Sequence, residues 1–167
     1  EAVCVIGNGV VVNPVSLCEE IEGLRARGID VEGRLEVSTR CQLIFEYHCL
    51  QDQVFEGKLG DSKIGTTKRG IGPAYADKVN RVGLRGALLC KPALLEERFR
   101  KQAAFYNAIF QEAGEPVMDI DAEWEKVRPA AEMLAPFVKD TVLTVNRAAK
   151  AGKEVLFEGA QGMWLDV

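Results

Sequence analysis

A long apolar stripe at helical spacing, set between short strand-like runs, constrains the fold of this chain more than any other feature. Leu95, Phe99, Tyr106, Ile109 and Phe110, then Trp124, Val127, Leu134, Phe137 and Val138, recur mainly at steps of three, four or seven residues. On either side lie short apolar or alternating runs at 2–6, 10–12, 35–37 and 155–157. Strands that flank a helical block predict an α/β protein: part of a mainly parallel sheet carrying a helical insertion, and an incomplete domain. The expected partition is an α/β portion over 1–64, a loop and helix over 65–86, a helical subdomain over 87–152, and a returning strand and loop over 153–167.

Finer signals punctuate this plan. Asn13 and Pro14 suit the start of a helix, with Leu17, Ile21 and Leu24 on its inner face and Gly28 at its end. Ser38 is suited to capping the following element, and Leu43, Tyr47, Leu50 and Val54 form one stripe of a second helix ending near Gly57. Gly114 closes the long helix, Pro129 is expected to interrupt the next, and Asp140 to cap a last one ending near Gly152.

Composition removes several function classes. The 167 residues carry 21 basic and 25 acidic side chains, a net charge of −4, so no global positive field exists to hold a nucleic-acid polymer. Five cysteines, an odd number without a C-x-x-C pair, argue against a disulfide framework or a zinc knuckle and for reduced thiols in a cytoplasmic protein. No apolar run approaches the ~20 residues of a membrane span, and no signal segment opens the chain. Both ends fall at strand-like runs, so the chain is expected to be an internal segment.

Chemistry concentrates in 65–85. Gly65-Thr66-Thr67-Lys68-Arg69-Gly70-Ile71-Gly72 places two hydroxyls and two cations among glycines, and Pro73 is suited to opening a helix whose free amides attract anions. Lys78, Arg81 and Arg85, at i, i+3 and i+7, are expected on one face of that helix or its continuation. A P-loop is excluded because Ile71 stands where its lysine belongs, and a dinucleotide fingerprint because Tyr75 replaces the third glycine. Gly7-Asn8-Gly9 also fails that fingerprint, since a strand-like run follows it. On spacing alone, phosphate binding and a solvated glycine-rich turn are evenly matched.

The run Gly-Ile-Gly-Pro-x-Tyr-x-x-Lys-x-x-Arg over 70–81, preceded by Gly65-Thr66-Thr67, resembles the signature of the adenylosuccinate synthetases. Residues 6–11, Ile-Gly-Asn-Gly-Val-Val, resemble the strand that this family places upstream. Phe157-Glu158-Gly159-Ala160-Gln161-Gly162 resembles its motif near the substrate base. The resemblance covers essentially the whole chain. It implies a large α/β ligase, a homodimer that uses GTP and Mg2+. The γ-phosphoryl group goes to the 6-oxygen of inosine monophosphate, and L-aspartate then displaces it to form adenylosuccinate.

On matching positions, the resemblance implies that Thr67 binds the monophosphate, Arg81 reaches the monophosphate of the neighbouring subunit, and Gln161 faces the 6-oxygen edge of the base. Hydroxyl, guanidinium and amide suit these tasks. Thr66, Lys78 and Glu158 are supporting candidates. Without the resemblance, Thr67 reads as a turn residue, Arg81 as a surface cation, Gln161 as a satisfier of loop backbone, and Glu158 as half of an ion pair. His48, the sole histidine, reads as structural rather than catalytic. Leu88 stands where most of the family has an acid, which puts in doubt any cap or salt bridge that acid makes.

The family's GTP loop, its catalytic acid and base, and its guanine- and aspartate-recognition segments have no match here. No catalytic residue and no metal ligand is therefore expected within this chain, and the segment alone is expected to be inactive. The alternative is a non-catalytic module that dimerises or binds a nucleoside monophosphate.

Overall fold

The computed structural model describes residues 2–58, 65 and 67–159. Three short parallel strands form one sheet in the order β1 (Cys4–Ile6), β3 (Leu35–Ser38), β5 (Val138–Lys139), and β2 (Val11–Val12) pairs in parallel with β4 (Gln42–Leu43) in a second. The α/β class with parallel pairing is as expected. Parallel neighbours need crossovers. Helix α1 (Pro14–Ala26) supplies the first, between β1 and β3. Helices α2 (Glu46–Lys58), α3 (Ile71–Val79), α4 (Pro92–Glu112) and α5 (Ile120–Leu134) all lie between β3 and β5, and α6 (Thr141–Lys150) follows.

Local chemistry explains the helix ends. Asn13 Oδ1 accepts from the amides of Val15 and Ser16 at 3.0 and 3.2 Å. Such a cap contributes about 1 kcal/mol. Asp119 and Asp140 cap α5 and α6 in the same way, and the chain leaves α1 through Gly28 in the left-handed conformation. Along α4, Leu95, Phe99, Ala103, Tyr106 and Phe110 are buried, at the spacing of one helix face. They meet Phe45 and Tyr47 near the start of α2 and Trp124 and Leu134 of α5 in the core.

Several expectations are corrected. Leu43 belongs to strand β4 and not to α2, because Val12 offers it a ladder partner. Ser38 caps no helix; its hydroxyl accepts from the Arg40 amide within a turn. Pro129 does not break α5: it and Glu125, whose carbonyl it leaves without an intrahelical donor, both face solvent, where water can satisfy that group. Ile109 lies off the inner face of α4, 44% exposed. The strand that returns to the sheet is Val138–Lys139, which pairs with Val37 and Ser38. Residues 153–159 form no strand among the described residues, and Leu156 and Phe157 are exposed, because no neighbouring ladder there takes up their backbone groups. Leu88 is buried in a 3-10 turn (Gly86–Cys90), where it adds apolar surface to the core in place of an acid's polar contact.

Candidate functional site

Helix α3 carries the candidate cations, and tertiary contacts set where it begins. It starts at Ile71, two residues before the expected Pro73, because Gly70 takes the N-cap position in the left-handed conformation, φ 72°. Pro73 therefore falls within the first turn, where its missing N–H costs no hydrogen bond. The Gly70 amide donates to Asp52 Oδ2 on α2 at 3.2 Å. A Cβ on Gly70 would lie 2.7 Å from His48 Cβ, so only glycine permits this approach.

The exposed side of α3 meets the turn after β1. Tyr75 donates its hydroxyl hydrogen to the Gly9 carbonyl at 2.9 Å, and Lys78 Nζ lies 5.6 Å from the centre of the Tyr75 ring, a cation–π distance. Past the helix, Arg81 adopts φ 62° and is exposed, so it does not continue the helical face shared with Lys78. The two are nevertheless brought together. Lys78, Arg81 and Arg85 line one cleft with Gln42, Val79 and Gly83, about 370 Å3 in volume. An adjoining cleft of about 540 Å3 shares Gln42, Lys78 and Arg85 and adds Asn8, Gly9 and Arg40. These volumes are of the size that holds small molecules, ~300–1,000 Å3.

Gln42 was missed in the sequence because nothing near it in the chain marks it. It is 4% exposed, and its Oε1 has no hydrogen-bond partner among the described residues. Four cations, Arg40, Lys78, Arg81 and Arg85, thus line the two adjoining clefts of a chain whose net charge is −4.

The remaining candidates divide. Thr67 is exposed on the approach to Gly70 and lines neither cleft, and Glu158 is exposed near the end of the described chain. Thr66 and Gln161 lie outside the described residues, so the expected convergence of Thr67 and Gln161 on one cavity does too.

His48 is structural, as expected, but in a network the sequence did not reveal. Its Nδ1 accepts from the Phe45 amide at 3.0 Å, which places the proton on Nε2, and Nε2–H donates to Asp77 Oδ2 at 3.2 Å. Burial lowers the imidazole pKa, against the opposing pull of the Asp77 hydrogen bond and charge. The pair is therefore a neutral imidazole hydrogen-bonded to a carboxylate, and not an ion pair. Burial likewise pushes the thiols of Cys18 and Cys49 up to about 11 and that of Cys41 up to about 12, so these three stay protonated and unreactive.

Among the described residues, no group of three or more His, Cys, Asp or Glu is placed to hold a metal ion. No described helix is long and apolar enough to cross a membrane.

Comparison with known proteins identifies the family. The adenylosuccinate synthetase family profile matches residues 1–167. The chain is 46% identical to the adenylosuccinate synthetase of Thermoanaerobacter sp. (strain X514), a match covering all of this chain and 39% of that protein. It is 47% identical to that of Chlorobium limicola, over 99% of this chain and 38% of the relative. A solved structure of fully ligated adenylosuccinate synthetase from Plasmodium falciparum superposes with a TM-score of 0.88 at 31% identity, covering 98% of this chain and 38% of that one. The chain thus spans about two-fifths of the length of these relatives, and it belongs to the adenylosuccinate synthetase family.

Proposed function

We propose that the full-length protein is a cytoplasmic, homodimeric ligase of purine biosynthesis that joins inosine monophosphate to L-aspartate, using GTP and Mg2+, to form adenylosuccinate. This segment contributes part of the nucleotide-substrate site through residues 65–86, with the helical subdomain 87–152 as its support. The observation that carries the reading is the gathering of Lys78, Arg81 and Arg85 around one cleft.

Guanidinium groups and an ammonium at such a cleft suit the oxygens of a phosphate monoester. Arg81, exposed beyond the end of α3, is free to extend toward a phosphate bound by the neighbouring subunit. Thr67 binds the monophosphate held by its own subunit, and Gln161 the 6-oxygen edge of the base, with Thr66 and Glu158 in support. When bound, GTP and magnesium supply the phosphoryl group and the charge stabilisation for its transfer. Their ligands belong mostly to other parts of the protein.

The test compares the full-length protein with the 167-residue segment in an assay for adenylosuccinate from inosine monophosphate, aspartate, GTP and magnesium. We expect turnover by the full-length protein only. A full-length protein without synthetase activity would remove the proposal. Activity in the isolated segment would show that the acid and base lie within it.

A further inference from the structure

We propose that Asp77 is a positioning residue for the turn that carries Lys78 and Arg81, an inference that rests on the phosphate-binding role assigned to those cations above. Asp77 is 2% exposed, and its carboxylate takes hydrogen bonds from two neighbouring helices. From α2, His48 Nε2–H donates to Oδ2 at 3.2 Å. From α4, Gln102 Nε2 donates to Oδ2 at 3.4 Å, and the Tyr106 hydroxyl donates to Oδ1. Burial, with the Asp77 hydrogen bond and charge, holds the Tyr106 phenol above its ordinary pKa, so it remains a donor.

The backbone of the same residue shapes the turn. The Asp77 carbonyl accepts from the amides of both Val82 and Gly83, at 3.0 and 3.1 Å. These bonds end α3 and fold the chain back over its last turn, with Arg81 in the left-handed conformation at φ 62°. Lys78 follows Asp77 directly, so both cations hang from one anchored residue. A buried carboxylate adds little net stability over an apolar side chain of its size. What three donors aimed at one carboxylate do provide is a single orientation, and a phosphate contact is sensitive to displacements of about 1 Å.

Asp77→Asn in the full-length protein isolates this role. The amide keeps the size but removes the charge and one acceptor oxygen, so the Tyr106 hydroxyl must turn from donor to acceptor to meet the new NH2 group. His48 has no alternative tautomer to offer, because Nδ1 already accepts from the Phe45 amide. We expect the KM for inosine monophosphate to rise roughly tenfold, with the KM for GTP within about twofold and kcat within about threefold of wild type. In an Arg81→Ala background the same substitution should add a smaller rise than in the wild type, the remainder passing through Lys78. Leu134→Ala, which opens a cavity in α5 away from the cleft, should lower Tm and leave both KM values unchanged.

An Asp77→Asn enzyme with wild-type KM for inosine monophosphate, or one whose effect multiplies fully with that of Arg81→Ala, overturns the inference while the phosphate reading stands. If Arg81→Ala alone leaves that KM unchanged, the phosphate reading fails and takes the inference with it. Should Asp77→Asn not fold, Tyr106→Phe removes one donor and keeps the ring stacked on Tyr47. A rise of roughly threefold is then expected, and no rise overturns the inference.

Discussion

Gly70 and His48 touch so closely that a Cβ added to Gly70 would sit 2.7 Å from the Cβ of His48 and 2.8 Å from the amide nitrogen of Cys49. This contact sets the spacing between α2 and α3, and through α3 the position of the cation cleft.

Gly70→Ala should therefore be costly twice over, by about 1–2 kcal/mol for a left-handed alanine and about 1–3 kcal/mol for the overlap. Thermal unfolding of the full-length protein checks this against Gly57→Ala. Gly57 lies in α2 with nothing within 4 Å of an added Cβ, so alanine there should be neutral or slightly stabilising. Equal Tm values for the two variants would refute the packing argument.

The buried imidazole makes stability depend on pH. The folded-state pKa of His48 is lowered by burial, so the unfolded chain binds the extra proton first, near its ordinary value of about 6.5. The His48 contribution is therefore complete above that pH and is lost as pH falls from there toward the lower folded-state value. Cys41 works in the opposite sense: with its thiol pushed up to about 12, its contribution is complete below the unfolded value of about 8.5 and is lost as pH rises beyond it. Urea midpoints from pH 5 to 10 should show both limbs. His48→Gln, which keeps a donor for Asp77 but does not titrate, should flatten the acid limb between pH 6.5 and 5.5, and an acid limb as steep as wild type would contradict the assignment.

Much of the fold was legible because the signals are local. Asn13, Asp140 and Gly28 act within one turn of themselves, and the α4 stripe of Leu95, Phe99 and Tyr106 repeats at a period that only one conformation satisfies. What escaped was decided by distant partners. Leu43 matches the α2 period as well as Tyr47 does, but β2 claims it for a ladder. The 155–157 run looks more strand-like than Val138–Lys139, yet the latter lies beside β3.

The site divides along the same line. Lys78, Arg81 and Arg85 were visible as a cluster of charge, although their shared cleft comes from a turn and not from a helix face. Asn8 reaches the clefts from the turn after β1, and Arg40 and Gln42 from the turn before β4 and its first residue, and no spacing rule links them to 78–85. Nothing in the sequence around Asp77 marks it, because its three donors come from α2 and α4.

Arg81 provides the most direct test of the account. In the full-length protein, Arg81→Ala removes a cation proposed to meet the monophosphate in ground and transition states alike, so the loss should appear in KM and not in kcat. Steady-state formation of adenylosuccinate, with inosine monophosphate and GTP varied in turn, reads this out. The account predicts a KM for inosine monophosphate raised roughly 10- to 100-fold, as expected for loss of a charge-assisted hydrogen bond, with the KM for GTP and kcat close to wild type. A KM for inosine monophosphate equal to wild type would contradict it.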